Sequence, residues 1–361
     1  MVVLIGYRFS QGFSKKTDLR EKLNDNKVIT FLINGINKQE KLVFSVFLFL
    51  QPEQKLCGMY FINPLSFFEK ETIENLGPKA SPTMIQPLEK ITGLNINYTL
   101  TLQDTHLAQI IDLMDGLPFY LDKYSLPAES NFKRSMGPAV MSGEEVLDLI
   151  SIIDPLDPLS YITRLNFQQS IFLSLIDRLN EKKELKSEWI KLLSLKTSSN
   201  LSPEEFISLF DYLIGNHLIF SIAELPGQLL IDEETKLSRL KIFEGSANEG
   251  FSRLVSYLSS GDYNIGDLAR TEVLNSTETN GLAKSVKTIL NENGIKVLSV
   301  GNGWNVNEAE SVIIDRSGNT EYAYKIAKIL GIKKVYHLIN KEVGLDITVL
   351  LGEDFDFKSH N

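Results

Sequence analysis

Residues 42–50 read LVFSVFLFL, an apolar run broken only by Ser45. A strand with one face in water alternates apolar and polar side chains, so an unbroken run needs cover on both faces. The run is also far shorter than the about 20 apolar residues that cross a bilayer as a helix. VITFLING (28–35) precedes it, and LCGMYFI (56–62) follows the turn QPEQK (51–55). Residues 28–68 therefore read as strands of a hairpin buried in a layered α/β unit.

Helical spacing takes over downstream. SPTMIQPLEKITG (81–93) has Ser81 as N-cap, Pro82 at the first helical position and Gly93 at its end. INYTLTL (96–102) alternates as a strand. DTHLAQIIDLMDG (104–116) and SGEEVLDLISII (142–153) read as helices capped by Asp104 and Ser142. In YITRLNFQQSIFLSLIDRLNEKK (161–183), Leu165, Gln168, Ile171, Phe172 and Leu175 trace one helical stripe. Two helices follow at 185–195 and 203–214, then a strand with a Pro-Gly turn in SIAELPGQLL (221–230) and a closing helix in ANEGFSRLVSYLSS (247–260). GDYNIGD (261–267) has the composition of a linker. After it a βαββαβ pattern runs to residue 356, a length suited to a small separate domain.

The 361 residues suffice for two domains, and 43% apolar with 23% charged residues lets both hold a core. The net charge is −9 and no Lys/Arg run exceeds a pair, so nucleic acid is not an expected partner. A lone Cys57 excludes a disulfide framework and a thiolate metal cluster; it reads as a small core residue beside a turn. His106, His217, His337 and His360 lack metal-ligand spacing, so no metal is expected. The opening MVVLIGYRFSQGFSKK joins a short apolar stretch to aromatics and cations of the kind that flank a membrane helix. It reads either as the residual end of an anchor at the inner membrane or as a short buried strand.

The most specific signal lies near the C-terminus. TEVLNSTETNGLAKSVKTILNENGIKVLSVGNG (271–303), VIIDRSGNTEYAYKIAKILG (312–331) and DITVLLGEDF (346–355) resemble the LytR C-terminal domain. The likeness rests on Val273 and Asn275 at a V-x-N strand end and on Gly281 and Ala283 where G-x-A opens a helix. It also rests on Val349, Leu351, Gly352, Asp354 and Phe355 in the closing segment, and spans 268–356. Upstream, the order LINGIN (32–37), LFLQPEQKLCGMYFINPLSF (48–67), MSGEEVLDLI (141–150) and TRLNFQQSIFLSLIDRL (163–179) resembles the LytR-CpsA-Psr (LCP) family. That resemblance implies a three-layer αβα domain with a hydrophobic tunnel for a polyprenyl chain and a polar mouth for its pyrophosphate. Active members move a glycopolymer from polyprenyl pyrophosphate to peptidoglycan, using arginines on the diphosphate and acids on Mg²⁺.

Set against that pattern, the charges are missing. The acid of the family's G-x-D is replaced by Asn37, and the next strand acid falls at Val43. The R-D pair falls at Pro64 and Leu65, two arginines fall at Ser151 and Ile153, and the second arginine of R-x-x-R-Q-Q is Phe167. Only Arg164, Gln168 and Gln169 remain. Each lost charge-assisted contact removes roughly 1.5–3 kcal/mol of grip, and lost transition-state donors cost more. The expectation is a degenerate LCP-like domain (28–260) behind a segment 1–27, then the linker, the LytR C-terminal domain and a tail 357–361.

In function, a non-catalytic envelope protein facing the periplasm is expected, binding peptidoglycan, an envelope glycopolymer, a partner protein or a lipid. The alternative is a divergent phosphotransferase using Lys133, Arg134 and Arg164 with Mg²⁺. A transcriptional role follows only from the family's historical name, and the acidic charge opposes it. Arg164 with Gln168 and Gln169 could hold one phosphate, or Arg164 could tie its helix to a carbonyl or to Asp154 or Asp157. Phe44, Phe47, Phe49 and Phe61, with Phe67 and Phe68, could line a tunnel or simply pack a core. GNGWN (301–305) reads as a loop, with Trp304 and Asn305 open to a sugar or a partner.

Overall fold

The computed structural model describes residues 17–68, 71–77, 80–122, 136–151, 160–231, 238–260, 269–304 and 308–356. Linker 261–267 and tail 357–361 fall outside these, as do residues 1–16 of the N-terminal segment. The rest of that segment folds. Helix α1 (Asp18–Asn24) is capped by Thr17 and buries Leu19 completely.

In the larger unit, strands β1 (Ile29–Ile36), β2 (Leu42–Gln51) and β3 (Leu56–Phe61) form an antiparallel meander, followed by the short strands β4 (Ser66–Phe68) and β5 (Glu71–Thr72). Helices α2 (Ile73–Leu76) and α3 (Ala80–Thr92) lead to β6 (Tyr98–Gln103), which pairs parallel to β1. Then come α4 (Asp104–Leu113), hairpin β7 (Leu117–Leu121) and β8 (Gly137–Met141), α5 (Gly143–Ile150) and the long α6 (Ser160–Glu181). Helix α7 (Lys186–Lys196), β9 (Thr197–Ser199), α8 (Pro203–Gly215), β10 (Ile219–Glu224), β11 (Gly227–Ile231), β12 (Ser238–Ile242) and α9 (Glu244–Ser260) complete it. The main sheet has the order β10-β3-β2-β1-β6-β9.

Both faces of this sheet are covered, as the apolar run in β2 requires. Phe44, Val46 and Leu50 join a core with Leu107, Ile111, Val146, Leu165 and Ile171, from α4, α5 and α6. Phe47 and Phe49 point the other way, to Met84, Leu88 and Phe251, from α3 and α9. The unit is thus a three-layer αβα sandwich, and the period of two along a strand divides its residues between the layers. Cys57 lies fully buried in β3, where burial pushes its thiol up.

The smaller unit runs β13 (Thr271–Asn275), α10 (Leu282–Glu292), β14 (Val297–Asn302), β15 (Val312–Asp315), α11 (Thr320–Leu330), β16 (Lys334–His337) and β17 (Ile347–Leu351). Its sheet order is β14-β13-β17-β15-β16. One strand, β16, adds to the expected βαββαβ. It has four residues, pairs only with β15 and sits at the edge, too brief to show a periodicity of its own. Leu274, Val312, Ile314, Leu338, Ile339 and Leu350 are buried in the same core as α6 and β7 of the larger unit, so the two units share a packed seam.

Candidate functional site

Arg164 and Gln168 lie one turn apart on α6 and so face the same way. Both side chains reach the same two carbonyls. Arg164 Nε donates to Ile150 O at 3.0 Å and Nη2 to Val43 O at 2.6 Å, while Nη1 lies 3.4 Å from a Glu74 carboxylate oxygen. Gln168 Nε2 donates to Val43 O at 2.8 Å and Ile150 O at 3.1 Å. Arg164 is 2% exposed. Burial pulls its guanidinium below the ordinary range, and Glu74 offsets part of that. Gln169 turns aside to donate to Glu224 at 2.7 Å. The acid meeting Arg164 is Glu74; Asp154 and Asp157 lie outside the described residues, as do Lys133, Arg134 and Ile153.

Among the described residues, the positions where the family pattern puts its acids and further arginines hold uncharged side chains. Asn37 Oδ1 caps the β1–β2 turn by accepting from Gln39 N at 3.0 Å and Lys41 N at 2.9 Å. Val43 and Leu65 are buried in the core. Ser151 is exposed, and Phe167 packs on Phe119 with centroids 6.3 Å apart. These residues do not fit a Mg²⁺ site, because Asn37, Val43, Pro64 and Leu65 bring no carboxylate.

With its guanidinium lodged on two strand- and helix-end carbonyls, Arg164→Leu is expected to lose about 2–3 kcal/mol of stability in urea unfolding. Inorganic pyrophosphate at millimolar concentration is expected to leave the wild-type Tm unmoved. A working clamp would raise it by mass action.

The phenylalanines do not share one wall. Phe44 and Phe61 pack edge-on to Phe172 at 5.3 and 5.5 Å, on the α6 face of the sheet. Phe47 and Phe49 pack edge-on to Phe251 at 6.0 and 5.1 Å, on the α9 face. The ring of Phe44 covers Gly35 and that of Phe49 covers Gly58, where an added Cβ would lie 2.1 Å from a ring carbon in each case. A single tunnel lined by all four is therefore excluded by strand alternation. Phe67 is half-buried under Arg239, 5.7 Å from its ring.

The C-terminal motif residues hold the fold of their own unit. Asn275 ends β13 in a turn, accepting from Thr277 N at 3.1 Å and donating to Thr279 O at 2.9 Å. Gly281 has φ +80° before α10, a left-handed conformation that favours glycine, and Ala283 is buried beneath the helix. At Gly352 a Cβ would lie 2.5 Å from the Glu310 carbonyl carbon. Asp354 accepts from Ser311 N at 2.6 Å and Ser311 Oγ at 2.7 Å, tying the closing segment to β15, and Phe355 packs on the small core.

Sequence reading missed the polar groups of the seam. Buried His337 lies between two carboxylates, its Nδ1 2.9 Å from Asp315 and its Nε2 3.0 Å from Asp177 on α6. Burial opposes a charge on the ring, but the hydrogen bonds to Asp177 and Asp315 outweigh it and push its pKa up to about 10. Tyr324 donates to Asp177 at 2.7 Å. Arg316 and Asp122 form a fully buried ion pair at 2.6 Å. Trp304 lies 5.7 Å from the Arg316 guanidinium and 6.4 Å from the Tyr120 ring, so it packs in the seam; Asn305 lies outside the described residues. No local pattern signals these pairs: His337 and Asp177, for one, lie 160 residues apart. Among the described residues no group of three or more His, Cys, Asp or Glu side chains is arranged to hold a metal ion. Nor is any helix there long and apolar enough to cross a membrane.

Residues 269–355 match the LytR_C family, described as LytR cell envelope-related transcriptional attenuator. The larger unit has the fold of several solved LCP proteins. TagT bound to LIIa-WTA is 15% identical, with 68% of this chain covering 94% of that one at a TM-score of 0.53. TagV of B. subtilis is 15% identical, with 65% covering 98% at 0.52. The Streptococcus agalactiae protein gbs0355 is 11% identical, with 66% covering 90% at 0.55. Curated protein sequences contain no match. The larger unit thus has an LCP-like fold, and the smaller unit, which matches the LytR_C family, is docked against it.

Proposed function

We infer that this protein binds an envelope ligand without transforming it. The single observation that carries this is the occupation of Arg164, whose donors go to Ile150 O, Val43 O and Glu74 inside the fold. A guanidinium so placed cannot also steady a multiply charged diphosphate. TagT is bound to LIIa-WTA in its structure, which favours an envelope glycopolymer such as wall teichoic acid as ligand here. Peptidoglycan, an envelope protein and a polyprenyl lipid are the other partners of this reading, which places the chain at the inner membrane facing the periplasm.

The test offers purified protein a polyprenyl-pyrophosphate-linked glycopolymer, Mg²⁺ and peptidoglycan sacculi. Retention of polymer or sacculi without release of lipid phosphate is the expected result. Release that disappears in a folded Arg164→Lys variant would instead make the chain a divergent phosphotransferase. Fractionation of the host's membranes tests the placement.

A further inference from the structure

Where β16 and α11 of the smaller unit face α6 and the β7–β8 hairpin of the larger, an open cleft of about 650 Å³ remains. Its size falls within the range of small-molecule sites. Neither unit makes it alone. Tyr324 stands in its wall 42% exposed, yet its hydroxyl rests on both Asp177 oxygens at 2.7 Å and its ring meets His337 edge-on at 6.3 Å. The ring is therefore held before any ligand arrives, which lowers the ordering cost of binding. Val140, 54% exposed, adds an apolar surface beside it.

Around these surfaces charge is mixed. Glu181 and Glu310 face the cleft together with Arg178, Lys333 and Lys334. Glu310 pairs with Lys334 and Glu181 with Arg178, while Lys333 has no ion-pair partner among the described residues. Each acid lining the cleft is already paired with a cation, so a polyanion finds Lys333 alone to neutralise it. An acyl chain would desolvate ion pairs and return no hydrogen bonds. A neutral, hydroxyl-rich ligand suits both groups, since its hydroxyls donate to carboxylates and accept from lysine while its C–H face lies on the tyrosine ring.

We propose that this interdomain cleft binds a short neutral saccharide segment, with Tyr324 as platform and Glu181, Glu310 and Lys333 as hydrogen-bonding partners. The inference rests on the glycopolymer reading above and deepens it by naming the site and the uncharged sugar it recognises.

Calorimetric titration of the full chain with N-acetylglucosamine tetramer, cellotetraose and maltotetraose tests it. Saturable binding of at least one is expected, weakened about ten-fold or more in Tyr324→Ala, as for removal of an aromatic anchor. Because Tyr324→Ala also removes a seam hydrogen bond, Val140→Trp serves as a second variant. It fills the cleft from an exposed position and is expected to abolish binding with the melting curve unchanged. Binding of none of the three, or binding untouched by both variants, would overturn the proposal. Retention on glycopolymer that persists in Val140→Trp would sink the cleft but leave the envelope-binding reading standing. Tetramer binding lost in Val140→Trp, with no polymer retained by wild type, would keep the cleft and sink that reading.

Discussion

Arg316→Met is expected to cost about 3–5 kcal/mol of stability, because it leaves a buried carboxylate without its guanidinium. The Asp122 and Arg316 side chains are 0% and 1% exposed, and they join β7 of the larger unit to the turn after β15. Arg316 also donates from Nε to Thr348 Oγ1 at 3.3 Å and lies over Trp304. Methionine keeps the length and most of the packing, so the loss reads the electrostatic part. Total stabilities of about 5–15 kcal/mol make this a large fraction. Urea unfolding followed by tryptophan fluorescence suits the measurement, since Trp189 lies in the core of the larger unit and Trp304 in the seam. The double variant Asp122→Leu/Arg316→Met is expected to recover much of the loss, because neither charge then remains buried. A single-variant loss below about 1 kcal/mol would place the pair among those of surface strength.

Alkaline pH is expected to weaken the same seam through His337. The imidazole titrates near 6.5 in an unfolded chain and at about 10 in the fold. The raised value means that the folded state holds the proton more tightly. Its contribution is therefore complete below about pH 6.5, shrinks as pH rises through the window and is gone above about 10. The slope inside the window approaches ~1.4 kcal/mol per pH unit. Loss of the proton removes one of the two ring N–H donors that serve Asp315 and Asp177 and leaves the other in place. Melting temperatures from pH 6.5 to 10 should fall more steeply for wild type than for His337→Gln. Parallel curves would show that the ring is not protonated in the fold.

Much of the architecture was legible before any coordinates. The apolar run of β2 demanded two covering layers, and α3 with α9 on one face and α4 to α6 on the other supply them. Ser142 caps its helix as read, in a capping box with Glu145, whereas Asp104, also read as a cap, is the first residue of α4 behind Gln103. The Asn275, Gly281, Gly352 and Asp354 pattern marked the smaller unit because turns, a left-handed residue, a close backbone approach and a side-chain tie each demand a particular residue type. Strand β16 was not legible, being short and paired on one side only.

By itself, then, the chain's order of residues determined the layers, the C-terminal unit and the poverty of charge around Arg164. Those properties depend on local periodicity and residue type. Tertiary structure alone decided that Phe44 and Phe47 face opposite layers with different partners, that Arg164 spends its donors on Val43 and Ile150, and that Asp177 meets His337. Hydrogen bonds and ion pairs act over a few ångströms of space. Which groups come within that reach is set by how helices cross sheets, a relation that spacing along the chain does not encode.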